Sequence, residues 1–122
     1  MTDFDPADTA GQSPPVLWSL GLLHGELRAR HGLSLHDYLV LGTLSEAEGR
    51  PVPVTHLTAF LRESGTRMSY LLKNLQAAGL IERNRRGRDR RTVEVTLTEA
   101  GRVRFADAER TAHMRLRLHV VL

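Results

Sequence analysis

The sequence predicts a mainly α fold carrying one small β-hairpin, an α+β arrangement, and three features of its patterning carry that reading. Apolar residues recur at helical spacing from Val16 to Leu75, drop to a period of 2 between Leu80 and Leu97, then return to a helical pattern. Gly32, Gly79 and the stretch "EGRPVPV" punctuate the chain where helices should stop. Finally, the third and fourth helices are separated by about three residues, "RES", a spacing that suits a helix-turn-helix.

Residues 1–13 read as a flexible acidic tail, with three aspartates and no basic residue in the first ten. A first helix is expected over 15–30, opened by Pro14 and Pro15, because proline is tolerated in a first turn. Val16, Leu20, Leu23 and Leu27 form one apolar stripe, with Trp18 and Leu22 beside it, so this helix is either deeply buried or shared with a partner. Ser34 and Asp37 resemble a capping box for a second helix, in which Leu35, Tyr38, Leu41 and Leu44 share a face that Leu39 and Val40 widen. Thr55 is expected to cap a short third helix carrying Leu57, Phe60 and Leu61. Ser64 or Thr66 should cap the fourth, whose inner stripe is Met68, Leu71, Leu72 and Leu75. "LIERN" and "TVEVTL" then read as the two strands of a hairpin over 80–97, with Val93, Val95 and Leu97 on one face. Thr98 caps a last helix over 98–122. A helix-turn-helix over 55–78 followed by a hairpin is a winged helix, so residues 14–122 form one winged helix domain with flanking helices.

Composition excludes several function classes. The chain has no cysteine, which rules out disulfides, thiol chemistry and cysteine-based zinc sites. Its six histidines are scattered at 24, 31, 36, 56, 113 and 119 without HxxxH or HExxH spacing, so no metal site is expected. There is no Gly-x-Ser-x-Gly elbow and no phosphate-binding glycine loop, and no catalytic residue or cofactor is assigned. Nothing resembles a secretory leader, and the most apolar stretch, Val16–Leu27, falls short of the ~20 apolar residues of a membrane span. A cytoplasmic protein without membrane contact is expected.

Charge is the informative departure. The formal net charge is only +3, yet residues 83–91 hold six arginines against one aspartate. Such self-repelling charge on one hairpin loop points to a polyanionic partner; charge alone leaves RNA open, and the pairing of this loop with a basic helix face is what favours double-stranded DNA. Burying the inner stripe of the fourth helix leaves Thr66, Arg67, Tyr70, Lys73 and Asn74 outward, with Ser69 at the edge and Ser64 near the helix start. An α-helix fits the major groove, where guanidinium, amide and hydroxyl groups read base edges. The hairpin supplies Arg83, Arg85, Arg86, Arg88, Arg90 and Arg91, and arginine suits a narrow, electronegative minor groove. Asp89 can hold one of these guanidinium groups rigid by paired hydrogen bonds.

The stretch "GLIERNRRGRDRRTVEVTLTEAG" (79–101) resembles the MarR family of winged-helix transcription regulators. The matching residues are Gly79, Leu80, Ile81 and Arg83; Asp89 and Arg91 in the wing; and Leu97, Thr98 and Gly101. The resemblance extends over roughly residues 33–101. It implies a dimer on a pseudo-palindromic operator, the fourth helix in the major groove and the wing in the minor groove. It further implies repression, and release by a small aromatic or anionic effector. Arg91 matches the family's wing arginine and Asp89 its companion. Trp18, His24, His36 and Tyr38 lie on elements that flank the family's ligand pocket. Tyr70, Lys73 and Asn74 depart from the residues many members carry, so no operator sequence can be borrowed. Leu39 stands where urate-binding members have aspartate, and urate is not expected.

Family dimers use the first and terminal helices, whereas this sequence has room for one long last helix. The expectation is a homodimer with a reduced interface built from Val16–Leu27 and Phe105–Leu122. The alternative is an interaction module, or an antagonist that pairs with another regulator through its apolar C-terminal helix. Such a module has no use for Arg67, Lys73 and an arginine wing together, which favours DNA binding.

Overall fold

A computed structural model describes residues 15–85 and 92–117. Residues 1–14, with the expected tail over 1–13, residues 86–91 of the expected wing, and residues 118–122 lie outside the described residues. The order of elements is α1 (Val16–His31), α2 (Leu35–Glu46), β1 (Val52–Pro53), α3 (Val54–Phe60), α4 (Gly65–Ala77), β2 (Ile81–Arg85), β3 (Val93–Leu97) and α5 (Glu99–Leu116). Among the described residues, no helix is long and apolar enough to cross a membrane.

Local sequence explains most boundaries. Gly32 takes the left-handed conformation at φ 66° and ends α1, its N–H bonding back to Arg28 O. The capping box forms with aspartate: Asp37 N donates to Ser34 Oγ at 3.0 Å and Ser34 N to Asp37 Oδ2 at 2.9 Å. Ser64, not Thr66, caps α4, accepting from Arg67 N at 3.1 Å.

Three expectations need correction. Thr55 does not cap α3: Pro53 occupies the cap position without a side-chain bond, because β1 runs directly into the helix. The hairpin forms as expected, β2 against β3, but it is not alone in its sheet. β1 pairs antiparallel with β3, Val52 opposite Val95, giving a three-stranded sheet of order β1-β3-β2. Phe60 and Leu39 are not core residues. They are 64% and 42% exposed, because α3 is short enough to bury only Leu57, and α2 turns Val40, Leu41 and Leu44 inward.

The core is rich in leucine. Leu23 and Leu27 of α1, Val40, Leu41 and Leu44 of α2, Leu57 of α3, and Met68, Leu72 and Leu75 of α4 close over Ile81 and Val95 of the sheet. Ala108 and Ala112 bring α5 against this core, and α1 and α5 are cross-linked by polar contacts. His31 Nε2 lies 2.7 Å from Thr111 Oγ1, Arg104 donates to His31 O at 2.9 Å, and Arg115 pairs with Glu26.

One junction fixes the hairpin to both neighbouring helices. Gly79, at φ 77°, ends α4 in a conformation that costs other residues. Thr98 then works in three directions. Its hydroxyl donates to Gly79 O at 2.7 Å and accepts from Gly101 N at 3.0 Å, while its own N–H donates to Leu80 O at 3.1 Å. Gly101 sits so close to Leu80 that a Cβ there would lie 2.1 Å from the Leu80 carbonyl oxygen.

Candidate nucleic-acid interface

α4 buries Met68, Leu71, Leu72 and Leu75 against the core. The helical period therefore turns Thr66, Arg67, Ser69, Tyr70, Lys73 and Asn74 to solvent, and all six are exposed, as is Ser64 at the cap. The predicted recognition residues thus share one continuous surface. Glu63, the acid nearest this surface, is drawn aside: its Oε1 lies 3.1 Å from His36 Nε2 on α2 and its side chain is mostly buried.

β2 lies beside this helix at a sheet edge, with Arg83 opposite Val95 and Arg85 opposite Val93. Arg83 donates from Nε to Gln76 Oε1 at 2.6 Å, joining the last turn of α4 to the wing strand. Between α3, α4 and the sheet runs a cleft of about 410 Å³, bordered by Thr55, Ser69, Arg83, Arg85 and Thr92. Arg86, Arg88, Asp89, Arg90 and Arg91 fall outside the described residues.

On α5, by contrast, the basic charge is engaged. Every arginine of α5 has a partner: Arg102 bonds Glu99, Arg104 the His31 carbonyl, Arg110 pairs with Asp107 and Arg115 with Glu26. The Glu99 carboxyl is held below its ordinary range by the hydrogen bond from Arg102, which outweighs its desolvation. A modest net charge is thereby spread unevenly, with α4 and β2 presenting cationic groups outward.

The four candidate ligand-pocket residues do not converge. His24 Nδ1 accepts the Leu35 amide at 3.2 Å and so braces the start of α2. His36 faces Glu63, and Trp18 lies on the exposed side of α1. Tyr38 alone of the four borders an open apolar groove of about 690 Å³ between α1, α2 and α5, with Leu20, Leu23, Leu35, Leu39, Met114 and Leu116, and with His113 and Arg117 also at its edge. Its ring stacks on Phe105 at 5.2 Å between centroids. Burial, and secondarily the Glu109 carboxylate, pushes the phenol above its ordinary value of 10.0.

Sequence reasoning missed Gln76, Thr55 and the engagement of Glu63. Gln76 had a weak signal, since it lies one helical turn past Lys73 beside the outward face. The His36–Glu63 pair had none, because nothing local brings those positions together.

Comparison with known proteins matches this geometry. The sequence profile of the MarR family matches residues 31–92, half of the chain. The HTH-type transcriptional regulator TtmR from Methylorubrum extorquens (strain PA1) is 40% identical over 84 residues, 69% of this chain. The chain spans only 42% of that relative's length. Among solved structures, BldR from Sulfolobus solfataricus superposes with a TM-score of 0.72 at 25% identity, covering 83% of this chain and 73% of that one. AbsC, a MarR family regulator from Streptomyces coelicolor, gives 0.74 at 24% identity over 86% of this chain and 73% of its own. A mutant MarR from E. coli, complexed with operator DNA, gives 0.71 at 21% identity over 84% and 70%. TtmR, BldR and AbsC are transcriptional regulators. The chain, from its Gly79–Gly101 junction to its helix-turn-helix and winged sheet, belongs to the MarR family.

Proposed function

We propose that this protein is a sequence-specific DNA-binding repressor that occupies a pseudo-palindromic operator as a homodimer. The observation that carries this reading is the single exposed face of α4, where Arg67, Tyr70, Lys73 and Asn74 stand together without an acidic neighbour on the face. Arg67 suits guanine and Asn74 adenine in a major groove, and the arginines after Asn84 suit a minor groove. The structural neighbour bound to operator DNA supports the same use of the fold here. The dimer would form through α1 and α5, whose exposed Val16, Leu17, Trp18, Leu22 and Met114 are otherwise an unusual amount of apolar surface. A small aromatic or anionic effector would release the DNA by entering the groove beside Tyr38. That groove has apolar walls, a phenol, and the cationic Arg117 at its edge.

The test is capture of fragmented genomic DNA from the source organism at moderate salt, followed by sequencing, with Arg67→Ala and Arg91→Ala in parallel. Enrichment of a two-fold symmetric motif, lost in both variants, is expected. A single half-site would point to a monomer or a mixed dimer. Retention without a motif, or none, would overturn the reading. It would favour instead an interaction module working through the same apolar surface of α1 and α5.

A further inference from the structure

The recognition helix and the wing strand are tied by a side-chain bond that the family resemblance does not supply. Arg83 Nε donates to Gln76 Oε1 at 2.6 Å, from the middle of β2 to the last turn of α4. Along β2, alternate residues share a face. On this face Ile81 is buried, Arg83 half-buried and Arg85 exposed, so the strand runs from the core to solvent. Arg83 borders the cleft between α3, α4 and the sheet, as do the hydroxyl residues Thr55 and Ser69, and among the described residues no carboxylate lines it.

A guanidinium carries five N–H donors in a rigid planar fork. With Nε committed to Gln76, the plane of that fork is set. The two terminal nitrogens are then the pair that can grip two oxygens of a phosphate, a geometry that an ammonium group cannot reproduce. We infer that this cleft seats a backbone phosphate of DNA, gripped by Arg83 with Thr55 and Ser69, and that Gln76 is a positioning residue that aims Arg83. The inference rests on the DNA-binding reading above and adds to it how the wing strand is oriented against the recognition helix.

Phosphate contacts are independent of sequence, so the test needs no operator. A fluorescein-labelled duplex of mixed sequence is titrated by fluorescence anisotropy over a range of KCl concentrations. The proteins compared are wild type, Gln76→Ala, Arg83→Ala, Arg83→Lys and the Gln76→Ala/Arg83→Ala double variant. Arg83→Ala should reduce the slope of log K against log salt by about 0.9, the value of one lost phosphate contact. Gln76→Ala should weaken binding about 3–10-fold, the worth of one orienting hydrogen bond. The double variant should be no weaker than Arg83→Ala alone, because Gln76 acts only through Arg83. Arg83→Lys should keep the salt slope and lose affinity. Melting curves near wild type separate these effects from misfolding, and Arg83→Lys, which keeps the aliphatic stem, carries the comparison should Arg83→Ala unfold. An equal loss from Gln76→Ala with and without Arg83, or an unchanged salt slope in Arg83→Ala, would overturn the inference while leaving DNA binding intact. A wild-type protein that does not bind the duplex would overturn both.

Discussion

Adding one methyl group at Gly101 tests whether the hairpin and α5 are locked as described. An ideal Cβ there stands 2.1 Å from Leu80 O, 2.8 Å from Leu97 Cδ1 and 3.0 Å from Leu80 C. The Leu97 methyl can swing aside. The Leu80 carbonyl cannot, since it accepts from Thr98 N and belongs to a residue buried in the core. Relief therefore requires the first turn of α5 to lift by roughly 1 Å to restore ordinary contact distances. That shift strains the bonds Thr98 makes to Gly79 and Leu80. Overpacking costs roughly 1–3 kcal/mol and each weakened hydrogen bond about 1 kcal/mol, while the better helix propensity of alanine offsets about 1 kcal/mol. The net destabilisation of Gly101→Ala is then about 2–4 kcal/mol. Urea unfolding followed by circular dichroism reads this as a midpoint lowered by about 1–2 M, for an m-value of about 2 kcal/mol/M. Gly25→Ala is the matched control. It lies in α1 with nothing within 4 Å of its added Cβ, so it should stabilise by about 0.4–1 kcal/mol. A Gly101→Ala midpoint at or above wild type, moving with Gly25→Ala, would refute the close approach of α5 to Leu80.

Two further outcomes follow from the same structure. Ser64→Ala removes the side-chain acceptor for Arg67 N and should cost about 1 kcal/mol, measured as a lowered urea midpoint; an unchanged midpoint would mean the cap contributes nothing. Tyr38 carries a pH dependence whose sign is fixed by the direction of its shift. Its folded-state phenol is raised, so its contribution to stability is fully present below the ordinary value of 10.0 and is lost as pH rises through the higher folded value. Tyr38→Phe should therefore flatten the alkaline decline of the melting temperature above pH 10.0, and an identical decline in both proteins would contradict the assignment.

What the sequence made legible was whatever a short window decides. The capping box at Ser34 and Asp37, the Gly79 stop, the inner stripe of α4 and the alternation of Val93, Val95 and Leu97 all depend on neighbours within a turn or a strand, and all stand in the structure. What it concealed depends on distant partners. β1 is two residues long and exists because Val52 finds Val95 across the sheet. Phe60 has a helical apolar spacing from Leu57, yet whether that face meets the core is set by elements the spacing does not describe. The scattered outcome for Trp18, His24, His36 and Tyr38 has the same origin. Their elements bring them near one another, and the direction each side chain faces separates them.

A division of labour follows from the geometry. The motif by which the family is recognisable in this chain includes Gly79, Leu80, Thr98 and Gly101, and these residues are occupied with one another. They set the angle between α4, the sheet and α5, and any operator requires that same frame. The groups that would read bases, Arg67, Tyr70, Lys73 and Asn74, lie outside that motif and make no demand on the core, so their identities are free to vary without loss of fold. Likeness to a relative in the first set therefore predicts a winged helix and says nothing about which sequence is bound. Within the second set, Tyr70, Lys73 and Asn74 are the positions to which the family resemblance does not extend. The chain's operator must be sought by experiment, with side-chain chemistry as the guide at the bases that Arg67 and Asn74 would face.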